Sequence, residues 1–182
     1  MLERFALLNC AFLAVAAAIL LWARLRTRPG PAFPGPRPVG PVFKAWLVVI
    51  WLVGMLLPLA ALAIDGVAGG QGGTRIVLGW YVATFVAQVA FEIFVWKRWR
   101  SPVWVIVPCL FLPWRLFQVA LGLMLLDGPL LTQVTLWALL ALWVINVGVH
   151  YSNIPNTLRW DAHPPDADFA ALAHPNPFRK GA

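Results

Sequence analysis

Five apolar runs dominate this chain: Phe5–Ala23, Ala45–Ile64, Ile76–Trp96, Val103–Leu126 and Leu130–Val149. Each holds close to 20 residues, about the length of helix that crosses a hydrocarbon layer of roughly 30 Å. Inside such a layer every backbone N–H and C=O needs an internal partner, so each run is expected to be a helix. The chain is 61% hydrophobic and 12% charged, against about 25% charge in an average soluble domain. A soluble core of this size could not hide that much apolar surface. The expected fold class is therefore all-α: a polytopic transmembrane helical bundle of five spans. Residues 1–150 would form one membrane domain, and residues 151–182 a largely irregular tail. A four-span arrangement, with the first run removed or the fourth re-entrant, is the alternative.

The first run resembles a signal sequence only superficially. Its apolar core covers 19 residues and is followed at once by Arg24, Arg26 and Arg28. A cleaved signal has a core of about 7–15 residues and a small-residue cleavage site. A retained helix is expected instead. The connections differ in kind. "RLRTRPGPAFPGPRPVGPVFK" is rich in proline, which removes donors and fixes φ, so it should be an extended linker. "DGVAGGQGGTR" should be a flexible glycine-rich loop, "KRWRSP" a short basic turn, and "DGP" a connection tight enough to make the last two spans antiparallel neighbours.

The basic residues give an orientation. Five spans place Arg24, Arg26, Arg28, Arg37, Lys44, Lys97, Arg98, Arg100, Arg159, Arg179 and Lys180 on one side, and only Arg4 and Arg75 on the other. The positive-inside rule then puts the amino terminus outside and the carboxyl tail in the cytoplasm. The net charge of +7 thus lies beside apolar runs and forms no single basic face of the kind that binds nucleic acid. Trp22, Trp46, Trp80, Trp96, Trp99 and Trp104 fall near predicted span ends, where an indole keeps its N–H wet. Trp51, Trp114, Trp137 and Trp143 lie deeper. In the tail, "DADFAALA" could form two turns of surface helix with Asp166 and Asp168 at its amino end.

Charge inside a span is costly and calls for a partner. Span three carries Thr84, Gln88 and Glu92 at i, i+4 and i+8, one helical face. Beside them run Gly79, Ala83, Ala87 and Ala90, a small-residue stripe that suits close helix approach, so the polar face is expected to point at another helix. Span four carries Arg115 and Gln118. At about 1.5 Å per residue, Arg115 lies roughly 18–20 Å in from Pro102, while Gln88 and Glu92 lie about 13 and 7 Å in from Lys97. The spans run in opposite directions and side chains tilt toward each helix's amino end. Arg115 is therefore expected to meet Glu92, with Gln88 bridging. Such a cluster serves either as an ion, proton or anionic-ligand site or as a clamp between spans. Pro108 and Pro113 flank the approach and should kink span four, freeing carbonyls.

His150 closes span five, four residues after Asn146. A single tetrapyrrole held by His150, with Trp143 stacked nearby, is one reading; a hydrogen-bonded boundary histidine is the other. His163 and His174 lie too far along the tail for a bis-histidine haem within one chain. Cys10 and Cys109 sit in apolar runs with no nearby histidine in sequence, as small buried residues do. No metal-protease, esterase or phosphate-loop motif is present, and no internal repeat is visible. No enzymatic activity and no required cofactor are expected.

Residues 81–123, "YVATFVAQVAFEIFVWKRWRSPVWVIVPCLFLPWRLFQVALGL", resemble a family of small integral membrane proteins of plants and cyanobacteria grouped under a domain of unknown function. The similarity rests on Gln88 and Glu92 on one helix, a short proline-containing turn, Val107–Pro108, and an arginine one to two turns on, here Arg115. It covers under a quarter of the chain. It implies a membrane protein with the same Gln/Glu/Arg set, plausible in a thylakoid as well as in a plasma or inner membrane. Three functions compete. One is a non-catalytic accessory or assembly subunit packing against other membrane proteins or itself within the bilayer. The second is a small carrier or channel using Gln88, Glu92 and Arg115. The third is a pigment- or haem-binding subunit using His150.

Overall fold

A computed structural model describes residues 1–27, 41–99 and 102–158. The described residues are all helical apart from short connections, with no strand among them. Five helices are long and apolar enough to cross a membrane. We label them α1 (Leu2–Arg26), α2 (residues 41–68), α3 (Gly72–Trp99), α4 (Val103–Leu125) and α5 (Leu130–Leu158). The five expected spans thus coincide with helices, the fourth stopping one residue short at Leu125, and the described bundle is all-α.

Several boundaries move. The proline-rich linker was expected to begin at Arg24 and end at Lys44, yet α1 runs on to Arg26 and α2 starts at Pro41. Proline is tolerated in a first helical turn because its missing N–H would have no partner there. Residues 28–40 lie outside the described residues. The expected glycine-rich loop shrinks to Gly69–Gln71. The Gly69 and Gln71 amides donate to the Ile64 and Asp65 carbonyls, and Gly70 turns the chain with φ of 67°. At the far end, α5 continues beyond Val149 to Leu158, through Pro155, so the irregular tail does not begin at residue 151. The segment "DADFAALA", His163 and His174 lie outside the described residues.

α4 is the central helix. Half of its apolar stretch is buried, against 17% for α2. It packs most extensively on α5, while α1 lies against α3 and α4, and α2 lies against α3 and α5. Two apolar cores result. One gathers Tyr81, Phe85, Leu112, Leu139 and Trp143; the other gathers Ala16, Leu20, Val95, Val107 and Phe111. Gly122 allows a close α3–α4 approach, since a Cβ there would stand 2.8 Å from Val77 Cγ1.

α2 widens into i+5 turns at Leu52–Leu56 and again at Leu62–Ala68. Pro58 lies between them. It has no N–H to give the Gly54 carbonyl one turn back, the usual cause of such a local defect. Asp65, in the second wide turn, is nearly buried. Its Oδ2 accepts from the Thr132 amide at 2.9 Å and the Thr132 hydroxyl at 2.7 Å. Thr132 is the third residue of α5, so Asp65 caps the positive end of that helix from another span. Thr74 Oγ1 stands 3.3 Å from the same hydroxyl, bringing α2, α3 and α5 together at one end of the bundle.

Candidate functional site

Besides the Asp65–Thr132–Thr74 contacts, two hydrogen-bonded polar clusters among the described residues are anchored on α3 and α4. Their spacing along α3 follows from helix geometry: Thr84, Gln88 and Glu92 lie one turn apart on a common face, and that face meets α4.

The first cluster centres on Arg115, which is 1% exposed. Its Nε and Nη2 both donate to Gln88 Oε1, at 3.0 and 2.8 Å. Gln88 Nε2 in turn donates to Glu92 Oε1 at 2.7 Å. Gln88 therefore stands between the two charges, and Arg115 and Glu92 make no direct ion pair among the described residues. Glu92 itself is only half-buried. Three aromatic rings surround the guanidinium carbon, with centroids at 4.5 Å for Phe85, 4.7 Å for Trp143 and 5.5 Å for Tyr81. A desolvated cation over aromatic faces gains about 2 kcal/mol or more. Hydrogen bonds to a charged group contribute about 1.5–3 kcal/mol each. Together these offset a cost of at least about 2.5–3.5 kcal/mol for a mid-membrane arginine. One guanidinium nitrogen, Nη1, is buried without a hydrogen-bond partner.

Tyr81 carries the cage onward to α2 and α5. Its hydroxyl donates to the Gly54 carbonyl at 2.8 Å and accepts from Trp143 Nε1 at 2.9 Å. Gly54 is the residue four before Pro58, so tyrosine takes up the carbonyl that the proline leaves bare. A Cβ at Gly54 would meet Leu142, Trp143 and Phe85 at 3.3–3.4 Å, so a glycine there lets α2 pack closely on α3 and α5.

The second cluster lies one turn along and uses Gln118, placed by the sequence beside Arg115. Its side chain turns instead to α1 and α3. Gln118 Nε2 donates to Asn9 Oδ1 at 2.8 Å, and Gln118 Oε1 accepts from Thr84 Oγ1 at 3.1 Å. Asn9 Oδ1 also accepts from Trp114 Nε1 at 3.1 Å, while its own amide donates to the Phe5 carbonyl at 2.8 Å. Trp114 stacks flat on Phe12 with centroids 4.4 Å apart. Asn9 carries no motif that marks it as a site residue. The signal was present, since it is the only amide or hydroxyl side chain between Phe5 and Ala23.

His150, Asn146 and Trp143 do not converge on one site. Asn146 Oδ1 accepts from Trp46 Nε1 at 2.9 Å, tying α5 to α2. Trp143 is 2% exposed and its ring is committed to Arg115 and Tyr81, so it offers no face to a flat ligand at His150. His150 Nε2 instead lies 3.7 Å from Cys109 Sγ. The two are 41 residues apart in sequence, and the antiparallel packing of α4 on α5 closes the distance. Tyr151 OH donates to the Cys109 carbonyl at 3.0 Å, the carbonyl one turn before Pro113 and so the one that proline strips of its donor.

The small-residue stripe of α3 is also corrected. Ala83 and Ala90 are exposed, and a Cβ added at Gly79 would meet nothing within 4 Å. Gly79, Ala83 and Ala90 face away from the bundle, while Ala87 packs partly buried against the second core. The outward three lie a quarter-turn or more from the Thr84–Gln88–Glu92 face, and on a helix that is enough to separate an inward face from an outward one. Among the described residues no group of three or more metal-ligating side chains assembles. The chain matches no protein-family model, no curated protein and no solved structure.

Proposed function

We propose that this integral membrane protein is non-catalytic and acts as an accessory or assembly subunit that packs against other membrane helices. The observation that carries the reading is the use of the interior polar groups. Most are spent on one another, pair by pair across helices: Asn9 with Gln118 and Trp114, Thr84 with Gln118, Gln88 with Arg115, Tyr81 with Gly54 and Trp143, and Asp65 with Thr132. Val77 and Leu78, each essentially inaccessible, lie on α3 between the Thr74–Thr132–Asp65 contacts and Tyr81, which suits a clamp better than a conduit. Gly79, Ala83 and Ala90, meanwhile, present small residues outward, where a second helix could approach closely. On this reading the basic connections face the cytoplasm.

The test is mild solubilisation from the native membrane followed by sizing. The wild-type chain should elute in a complex larger than one chain plus its micelle. Gly79→Leu together with Ala83→Leu should release it while leaving its thermal unfolding unchanged. Elution of the wild type as a lone monomer refutes the reading.

The second reading, a small carrier, is favoured by one specific pair of observations: the buried unpartnered Nη1 of Arg115 and the half-buried Glu92 linked to it through Gln88. Proton or anion flux into liposomes that disappears in Glu92→Gln would replace the first reading with this one.

A further inference from the structure

From the contact between α4 and α5 we infer that Cys109 and His150 form a two-donor site for a soft monovalent metal ion, copper(I) in chemical class. The thiol sulfur and the imidazole Nε2 face each other across the helix pair at 3.7 Å. The pair is held from both sides: α5 packs on α4 more extensively than on any other helix, and the next residue, Tyr151, bonds the Cys109 backbone carbonyl directly. Metal–thiolate and metal–imidazole bonds are about 2.3 and 2.0 Å long for zinc. A linear bridge of that length exceeds the present separation of 3.7 Å by about 0.6 Å, which a small side-chain rotation supplies.

Charge selects the ion. Both residues are partly buried, and Cys109 lies roughly 10 Å in from the start of α4. Binding exchanges the thiol proton for the metal: the S–H bond breaks, the proton leaves to water, and S–metal and N–metal bonds form with no change of oxidation state. With a monovalent ion the thiolate, the metal and the neutral imidazole sum to zero charge. A divalent ion would leave a net positive charge in a low-dielectric layer, which is heavily penalised. Thiolate with imidazole is a soft donor set of the kind that copper(I) takes. A bare ion also fits where a tetrapyrrole does not, because the closely packed α4 and α5 leave no slot for a macrocycle between the two donors. Cys10, exposed on α1, is an internal control.

The experiment is anaerobic titration of the purified full chain in detergent with copper(I) against a chromophoric chelator. Silver(I) serves as a redox-inert second probe, and thermal unfolding is followed in parallel. The wild type should take up one ion and unfold at higher temperature with it. Cys109→Ser and His150→Gln should each weaken binding by more than the roughly 10–100-fold that loss of an outer-shell partner costs, and should lose the thermal shift while keeping the metal-free unfolding temperature. Cys10→Ser should bind as the wild type does. Absence of tight uptake, uptake that survives Cys109→Ser, or uptake that follows Cys10 overturns the assignment. If either Cys109→Ser or His150→Gln unfolds when metal-free, protection of the Cys109 thiol of the wild type from maleimide by silver(I) decides. Unchanged labelling refutes the site.

Discussion

Replacing Gln88 by leucine nearly keeps the side-chain volume and removes the oxygen that accepts both the Nε and Nη2 protons of Arg115. Each bond to a charged group is worth about 1.5–3 kcal/mol, so the loss should be about 3–6 kcal/mol. The aromatic cage of Phe85, Trp143 and Tyr81 remains and does not compensate, since it is present before and after. Such a loss is a large part of a typical folding free energy of about 5–15 kcal/mol. Glu92→Gln should behave quite differently. The new amide oxygen can still accept from Gln88 Nε2, so the cost should stay near about 1 kcal/mol. The double variant Gln88→Leu/Arg115→Met removes the charge along with its acceptor and should recover most of the stability, as buried pairs replaced by apolar groups commonly do. Equilibrium unfolding in bicelles with rising detergent fraction, followed by tryptophan fluorescence, measures all three. The reasoning fails if Glu92→Gln costs as much as Gln88→Leu, for then the arginine is held by the carboxylate's charge and not by the amide. It fails equally if the double variant is no more stable than Gln88→Leu.

Three other outcomes are expected. Tyr81→Phe leaves the Gly54 carbonyl without its donor and should cost about 1–3 kcal/mol. In a Pro58→Ala background, where residue 58 again has an N–H to offer, that cost should shrink, and equal costs in both backgrounds would refute the coupling. Asp65→Ala should cost about 1–2 kcal/mol through loss of the α5 cap and raise hydrogen exchange at the first turn of α5, with Asp65→Asn markedly milder. Gly122→Ala should destabilise by about 1–3 kcal/mol through overpacking against Val77, whereas Gly79→Ala, which meets open space, should leave unfolding of the isolated protein unchanged.

The spans were legible because a bilayer imposes a length and a composition on every crossing segment, and runs such as Val103–Leu126 carry that imprint whole. The Gln88–Glu92 face was legible from period alone. Its partner Arg115 could be located by depth, since rise per residue is fixed. What period and depth miss is azimuth across helices. Gln118 lies almost one turn from Arg115 yet serves a different cluster, because Asn9 of α1 is in reach and the Arg115 cage is already filled by rings. The outward turn of Gly79, Ala83 and Ala90 was misassigned for the same reason: small residues suit a close neighbour, but sequence does not say whether that neighbour belongs to the same chain. The glycines that follow Asp65 make it read as a loop residue. Its side chain and its carbonyl together extend α2 by a turn, through contacts with residues 67 positions away and six positions away that no local pattern encodes.

Two of the prolines within spans, Pro58 and Pro113, have a consequence for how the chain is built into a bilayer. In hydrocarbon a backbone carbonyl without a donor costs several kcal/mol. Gly54, bared by Pro58, gets its donor from Tyr81, and Cys109, bared by Pro113, gets its donor from Tyr151. In each case the rescuing hydroxyl belongs to the next helix to emerge during synthesis. Biogenesis is thereby given a direction: α2 is incomplete until α3 arrives, α4 is incomplete until α5 arrives, and a chain truncated after either even-numbered helix would leave the insertion machinery with an unfinished segment.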